Sequence, residues 1–97
     1  MNTQFRSRKW LDMARGQPCV VCESMDDSVV AAHSNLLEHG KGKGIKADDS
    51  MVAWLCYRCH TEYDQGMKMN KVEKRDFILT AILKTYFIAL RKGLIKI

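Results

Sequence analysis

Long apolar runs are missing from this sequence. Nowhere do apolar residues approach the roughly 18 in succession that a membrane span needs. The basic stretch Met1 to Trp10 is followed by no apolar segment, so it does not read as a secretory signal. Both absences lead to the expectation of a cytoplasmic protein with no membrane partner. Repeats, low-complexity tracts and linkers are also lacking, and 97 residues suit one domain, 1–97, rather than two. Proline occurs once, at Pro18, and cysteine four times. A chain this short buries a modest core, and small domains often need a metal or disulfides to fold.

What is present is ordinary apolar content and an excess of positive charge. The hydrophobic fraction of 46% argues against wholesale disorder. Sixteen Lys and Arg face eleven Asp and Glu, a net charge of +5, and such a balance on a small domain suggests a polyanionic partner, usually nucleic acid.

Cysteine spacing separates the two uses of four thiols. Cys19 and Cys22 form one C-x-x-C pair, Cys56 and Cys59 another. Two residues between cysteines make poor disulfide geometry, but a C-x-x-C turn sets two thiolates on one side of an ion. Two such knuckles complete a tetrahedral zinc site with no open position, which predicts a structural zinc. A redox C-x-x-C normally opens a helix after a strand in a βαβ context, and no such context is visible.

Along the chain, helical spacing of Phe5, Trp10, Leu11 and Ala14 predicts a helix over Phe5 to Arg15 that carries Arg6, Arg8, Lys9 and Arg15 and stops at Gly16. Val29 to Ala32 is a short β-rich run ending at His33, and Met51 to Leu55 is a second one leading into Cys56. Between them Asn35 to Asp49 reads as a loop, rich in glycine (Gly40, Gly42, Gly44) and lysine (Lys41, Lys43, Lys46). A short helix is expected from near Cys59 to Gln65, ended by Gly66. The last third predicts a long helix from a capping box at Asn70 and Glu73 to Gly93. Its apolar stripe exceeds one narrow seam, and the surplus would cover either the rest of the core or a second copy in a homodimer.

His60 and Asp64 lie four apart where the short helix begins, so imidazole and carboxylate share a face and can converge on one ion. His33 ends the first run, which should pair with the second. Zinc tying the knuckles together would then bring His33 near His60. A neutral, unliganded histidine can accept a proton from water. A second histidine with a carboxylate can hold a divalent cation, magnesium or manganese being favoured by oxygen-rich ligation.

Taken in order, Cys-x-x-Cys, Ala32-His33, a Gly/Lys loop and Cys56-x-x-Cys59-His60-x-x-x-Asp64 resemble the HNH (ββα-metal) endonucleases with a built-in zinc ribbon. More narrowly the chain resembles the YbcO-like phage and prophage nucleases, in which an AH dipeptide, a G-x-G-x-K-x-x-D loop and a C-x-x-C-H recur. Gly42 to Asp48 is matched to that loop, with Ala47 where the family tends to have proline. The likeness runs from about Arg8 to the C-terminal residues. It implies an α+β fold, a ββα-metal core with a four-cysteine zinc ribbon between an N-terminal and a long C-terminal helix. It also implies a DNA endonuclease of the bacterial host cytoplasm, phage or prophage encoded.

By that resemblance His33 is the general base, His60 the metal ligand and Asp64 its partner. Asp48 is an alternative carboxylate, and Asn35 a candidate for the middle Asn that sits too close to His33 to match well. Lys41, Lys43 and Lys46 would reach phosphates, positioning a backbone without reading sequence. Many HNH enzymes carry an acidic residue or histidine just before the base, where this chain has Ala32. Asp48, Asp64 or water would then complete the sphere, or His33 is itself a ligand, or the site is inactive. His39 is a further candidate ligand, expected to face solvent in its loop. The rival reading is a non-catalytic zinc-ribbon module that binds DNA or protein through a degenerate HNH site.

Overall fold

The computed structural model describes residues 4–97. Its order is α1 (Arg8–Asp12), β1 (Val30–His33), a 3-10 turn (Leu37–His39), β2 (Val52–Leu55), α2 (Tyr57–Asp64) and α3 (Lys71–Arg91), an α+β arrangement. No helix among the described residues is long and apolar enough to cross a membrane.

The two strands form one antiparallel ribbon, pairing Val30 with Leu55 and His33 with Val52. Every residue of β2 is buried. A strand so placed must satisfy its outer edge as well as the ladder. Trp54 does so twice: its carbonyl accepts from Val20 N–H at 3.0 Å and its N–H donates to Thr85 Oγ1 at 3.0 Å. The Thr85 hydroxyl then donates to the Ala81 carbonyl at 2.9 Å, which explains a fully buried threonine in the apolar stripe of α3.

Helix α3 lies on β2 and buries Ile78, Ala81, Ile82, Thr85 and Ala89. Its capping box is complete, with Asn70 Oδ1 accepting from Glu73 N–H and Glu73 Oε1 from Asn70 N–H. Its end is a Schellman motif: Leu94 N–H reaches Ala89 O, Gly93 N–H reaches Leu90 O, and Gly93 takes φ +74°, where a side chain would be strained. Leu83, Phe87 and Leu90 face outward. On the other side α1 meets β1, and Trp10 stacks on Tyr86 with centroids 5.4 Å apart. The indole N–H groups of Trp10 and Trp54 are buried without a partner among the described residues.

Helix α1 is shorter than the expected span of Phe5 to Arg15. Residues 4 to 7 are spent on another task, bonding the long loop (Phe5 N–H to Asp48 Oδ2, Asp49 N–H to Phe5 O), and Ser7 becomes the N-cap by accepting from Trp10 N–H. Helix α2 likewise begins at Tyr57, earlier than expected, because Cys56 of the knuckle is its N-cap.

Candidate metal centre and histidine cleft

The ribbon's pairing puts two kinds of chemistry at its two ends. Leu55 delivers Cys56 at one end, while His33 stands at the other, about 10 Å of strand away. At the first end Cys19, Cys22, Cys56 and Cys59 are free thiols whose sulfurs all lie within 4.8 Å of one another. A tetrahedron with metal–sulfur bonds of about 2.3 Å has edges of roughly 3.8 Å. Cys22 Sγ and Cys56 Sγ are 3.6 Å apart, so the cluster can hold a metal ion such as zinc. Among the described residues it is the one cluster of three or more metal-ligating groups.

The first knuckle is closed by Cys19 N–H to Ser24 O and Glu23 N–H to Cys19 O, with Glu23 at φ +64°. The backbone N–H of Ser24 beside Cys22 holds that thiol at about 7, below its ordinary value. Burial pushes the Cys56 and Cys59 thiols up, as expected of sulfurs that need a cation to stay ionised. The Arg58 guanidinium beside Cys22 brings positive charge to the rim, and the nearby thiolates favour its charged form.

At the other end α2 carries His60 and Asp64 back from the knuckle. His60 Nε2 and Asp64 Oδ2 are 3.3 Å apart. Asn35, two residues past β1, closes the return path: its N–H donates to the Tyr63 hydroxyl at 2.8 Å and its Nδ2 to Asp64 Oδ1 at 2.9 Å. So His33, Asn35, His60 and Asp64 line one cleft of about 450 Å³, together with Arg8, Arg15, Lys41 and Lys46. The Asn35 contacts join the two segments that carry the histidines.

His33 is held from behind. Its Nε2 lies 2.7 Å from Asp49 Oδ1, and Asp49 is 4% exposed. Burial pushes the Asp49 carboxyl up, but hydrogen bonds from His33, the Ser7 N–H and Arg6 more than offset this and leave it below the usual carboxylate range.

Asp48, the expected alternative carboxylate, does not line the cleft. Its Oδ1 accepts from the Ser50 N–H and hydroxyl and its Oδ2 from Phe5 N–H, which also holds it below the usual range. The carboxylate in contact with His33 is Asp49, which the sequence reading does not single out. The loop spacing contained a signal for it, because a G-x-G-x-K-x-x-D count started at Gly42 ends at Asp49, not Asp48. His39 is not a free solvent-facing side chain; its Nδ1 lies 2.7 Å from the hydroxyl of buried Ser34. Lys43 sits at the apex of a tight turn closed by reciprocal Gly42–Ile45 bonds, with Gly44 at φ +71°, and does not line the cleft as Lys41 and Lys46 do. Ala32 is buried against the core, paired with Ala53.

A family model described as a protein of unknown function (DUF968) matches residues 2–89, and the chain belongs to that family. No curated protein and no solved structure matches the chain.

Proposed function

We propose that this protein is a metal-dependent endonuclease of the HNH type that hydrolyses DNA phosphodiesters, with a structural zinc in its cysteine cluster. One observation carries the reading: His33, His60 and Asp64 open into the same cleft among four cationic side chains. His33 is the base that takes a proton from the attacking water. Asp49 fixes one of its nitrogens, and the ring remains at the cleft wall.

His60 and Asp64 are the residues to hold a divalent cation. Their two donor atoms suit magnesium or manganese, which retain water and substrate phosphate as their other ligands. Such a cation, when bound, supplies charge stabilisation at the phosphate and the leaving 3′-oxygen. Arg8, Arg15, Lys41 and Lys46 hold the strand by its phosphates, so binding weakens steeply with salt and depends little on sequence.

Ala32 favours the rival, a zinc-bearing module that binds DNA without cutting it, because an acidic residue or histidine at that position is what many HNH enzymes have. Cleavage of plasmid DNA by the zinc-loaded chain with magnesium or manganese separates the two. Nicking that disappears in His33→Ala, at unchanged DNA affinity, is the expected result. Intact plasmid under every divalent metal, with folded protein that still binds DNA, establishes the rival.

A further inference from the structure

The carboxylate behind His33 is buried and has a cation of its own. Asp49 Oδ1 accepts from two donors at once, His33 Nε2 at 2.7 Å and Arg6 Nη1 at 3.0 Å, while Oδ2 accepts from Ser7 N–H at 2.9 Å. Arg6 is itself anchored, donating through Nη1 to Ala47 O at 2.7 Å and through Nη2 to Lys46 O at 2.9 Å. The segment that carries Arg6 is strapped across the loop by Asp49 N–H to Phe5 O and Phe5 N–H to Asp48.

We propose that Asp49 and Arg6 are positioning residues for His33: Asp49 fixes the imidazole with its proton on Nε2 and its lone pair on Nδ1, and Arg6 fixes Asp49. The inference deepens the reading of His33 as the base. An ionised carboxylate has no hydrogen to donate, so the 2.7 Å contact requires the proton to sit on Nε2. A neutral imidazole then has its one acceptor at Nδ1, and Nδ1 has no protein partner among the described residues. A base that must receive a proton in a given direction depends on which nitrogen is free. Here that choice is made by a residue 16 positions away in sequence, on a loop the N-terminal segment clamps.

Asp49 is well suited to the task because it is not free to move. Each oxygen is engaged, the group is almost wholly buried, and the guanidinium on the shared oxygen compensates its charge. Arg6 is held by two backbone carbonyls as well as by the carboxylate, so it resists swinging out to a passing phosphate. The arrangement therefore differs from the cations of the cleft: Arg6 acts inward, on the base.

The test is a two-bond proton–nitrogen NMR spectrum of the three histidines in the full, zinc-loaded, ¹⁵N-labelled chain, with His33 assigned through His33→Ala. In the unaltered chain His33 shows the tautomer protonated at Nε2. Asp49→Ala gives a mixture of tautomers, and plasmid nicking falls by about 10²-fold in kcat with little change in KM. Arg6→Ala gives a smaller fall in the same direction, and the spectrum reports partial loss of the Nε2–H form.

An Nδ1-protonated His33 in the unaltered chain overturns the proposal whether or not any variant folds. So does an unchanged tautomer in folded Asp49→Ala. Should the spectra behave as stated while no metal supports cleavage by any form, the positioning pair stands and the nuclease reading falls.

Discussion

The two ends of the β1–β2 ribbon have opposite designs. At one end four sulfurs within 4.8 Å of each other close on themselves and leave no ligand position for a substrate. At the other end two histidines and a carboxylate line an open, cation-walled cleft. On the proposed reading, the first arrangement would use metal-binding energy to hold the fold together. The second would use the fold to hold side chains apart, so that water and phosphate could come between them.

Removing one sulfur should break the comparison most violently. Metal binding at a four-thiolate site is worth on the order of 10–16 kcal/mol in small zinc peptides. Whole domains have only about 5–15 kcal/mol of stability. Cys59→Ser is therefore expected to abolish zinc stoichiometry and cooperative unfolding together, as seen by metal analysis and circular dichroism. A variant that melts cooperatively near the parent temperature without zinc shows that the fold does not depend on this end.

The matching change at the open end has a large effect of a different kind. His60 is only partly buried, and its side chain contacts Asp64 rather than the core. His60→Ala should keep one zinc per chain and the parent melting temperature while lowering cleavage by about 10²–10⁴-fold. Loss of zinc in this variant would merge the two ends into one site and end the distinction.

Between them lies the packing that both share. Thr85→Val keeps the shape of the side chain but leaves the Trp54 N–H without its acceptor in the core, at a cost of about 1–3 kcal/mol. Chemical denaturation should show this loss with zinc content and cleavage by the remaining folded protein unaltered. A loss confined to activity would mean that α3 acts on the cleft through α2, which it contacts where Phe77 stacks on Tyr63.

Much of the closed end could be read directly from spacing. Cysteines two residues apart, apolar runs entering them, and the Asn70–Glu73 pair before a helical stripe are local patterns, and the structure follows each of them. The open end was less legible because its contacts are not local. Asn35 reaches 28 and 29 residues ahead to Tyr63 and Asp64, Arg6 reaches 43 residues to Asp49, and no periodicity links such pairs. The misread helix at Phe5 has the same origin: a helical pattern of apolar residues gave way to backbone bonds with a distant loop. The part played by Thr85 is equally hidden, because a hydroxyl that serves a strand edge leaves no mark in the spacing.

The smallest expected effect gives the finest view of the open end. Asn35 has two separate jobs there: its backbone N–H ties Tyr63, and its side chain holds Asp64 Oδ1. Asn35→Ala removes the second and keeps the first, so the fold should be unaffected to within about 0.5 kcal/mol, as for other exposed positions. Asp64 would lose the partner that orients it toward His60. Partners of this kind are worth about 10–100-fold in metal affinity. The exposure of this pair puts the expectation at the lower limit, a roughly tenfold rise in the manganese concentration that gives half-maximal nicking, with the rate at saturating metal close to that of the parent. An unchanged manganese dependence would mean that Asp64 is not a ligand, and His60 would then need a different partner in the cleft.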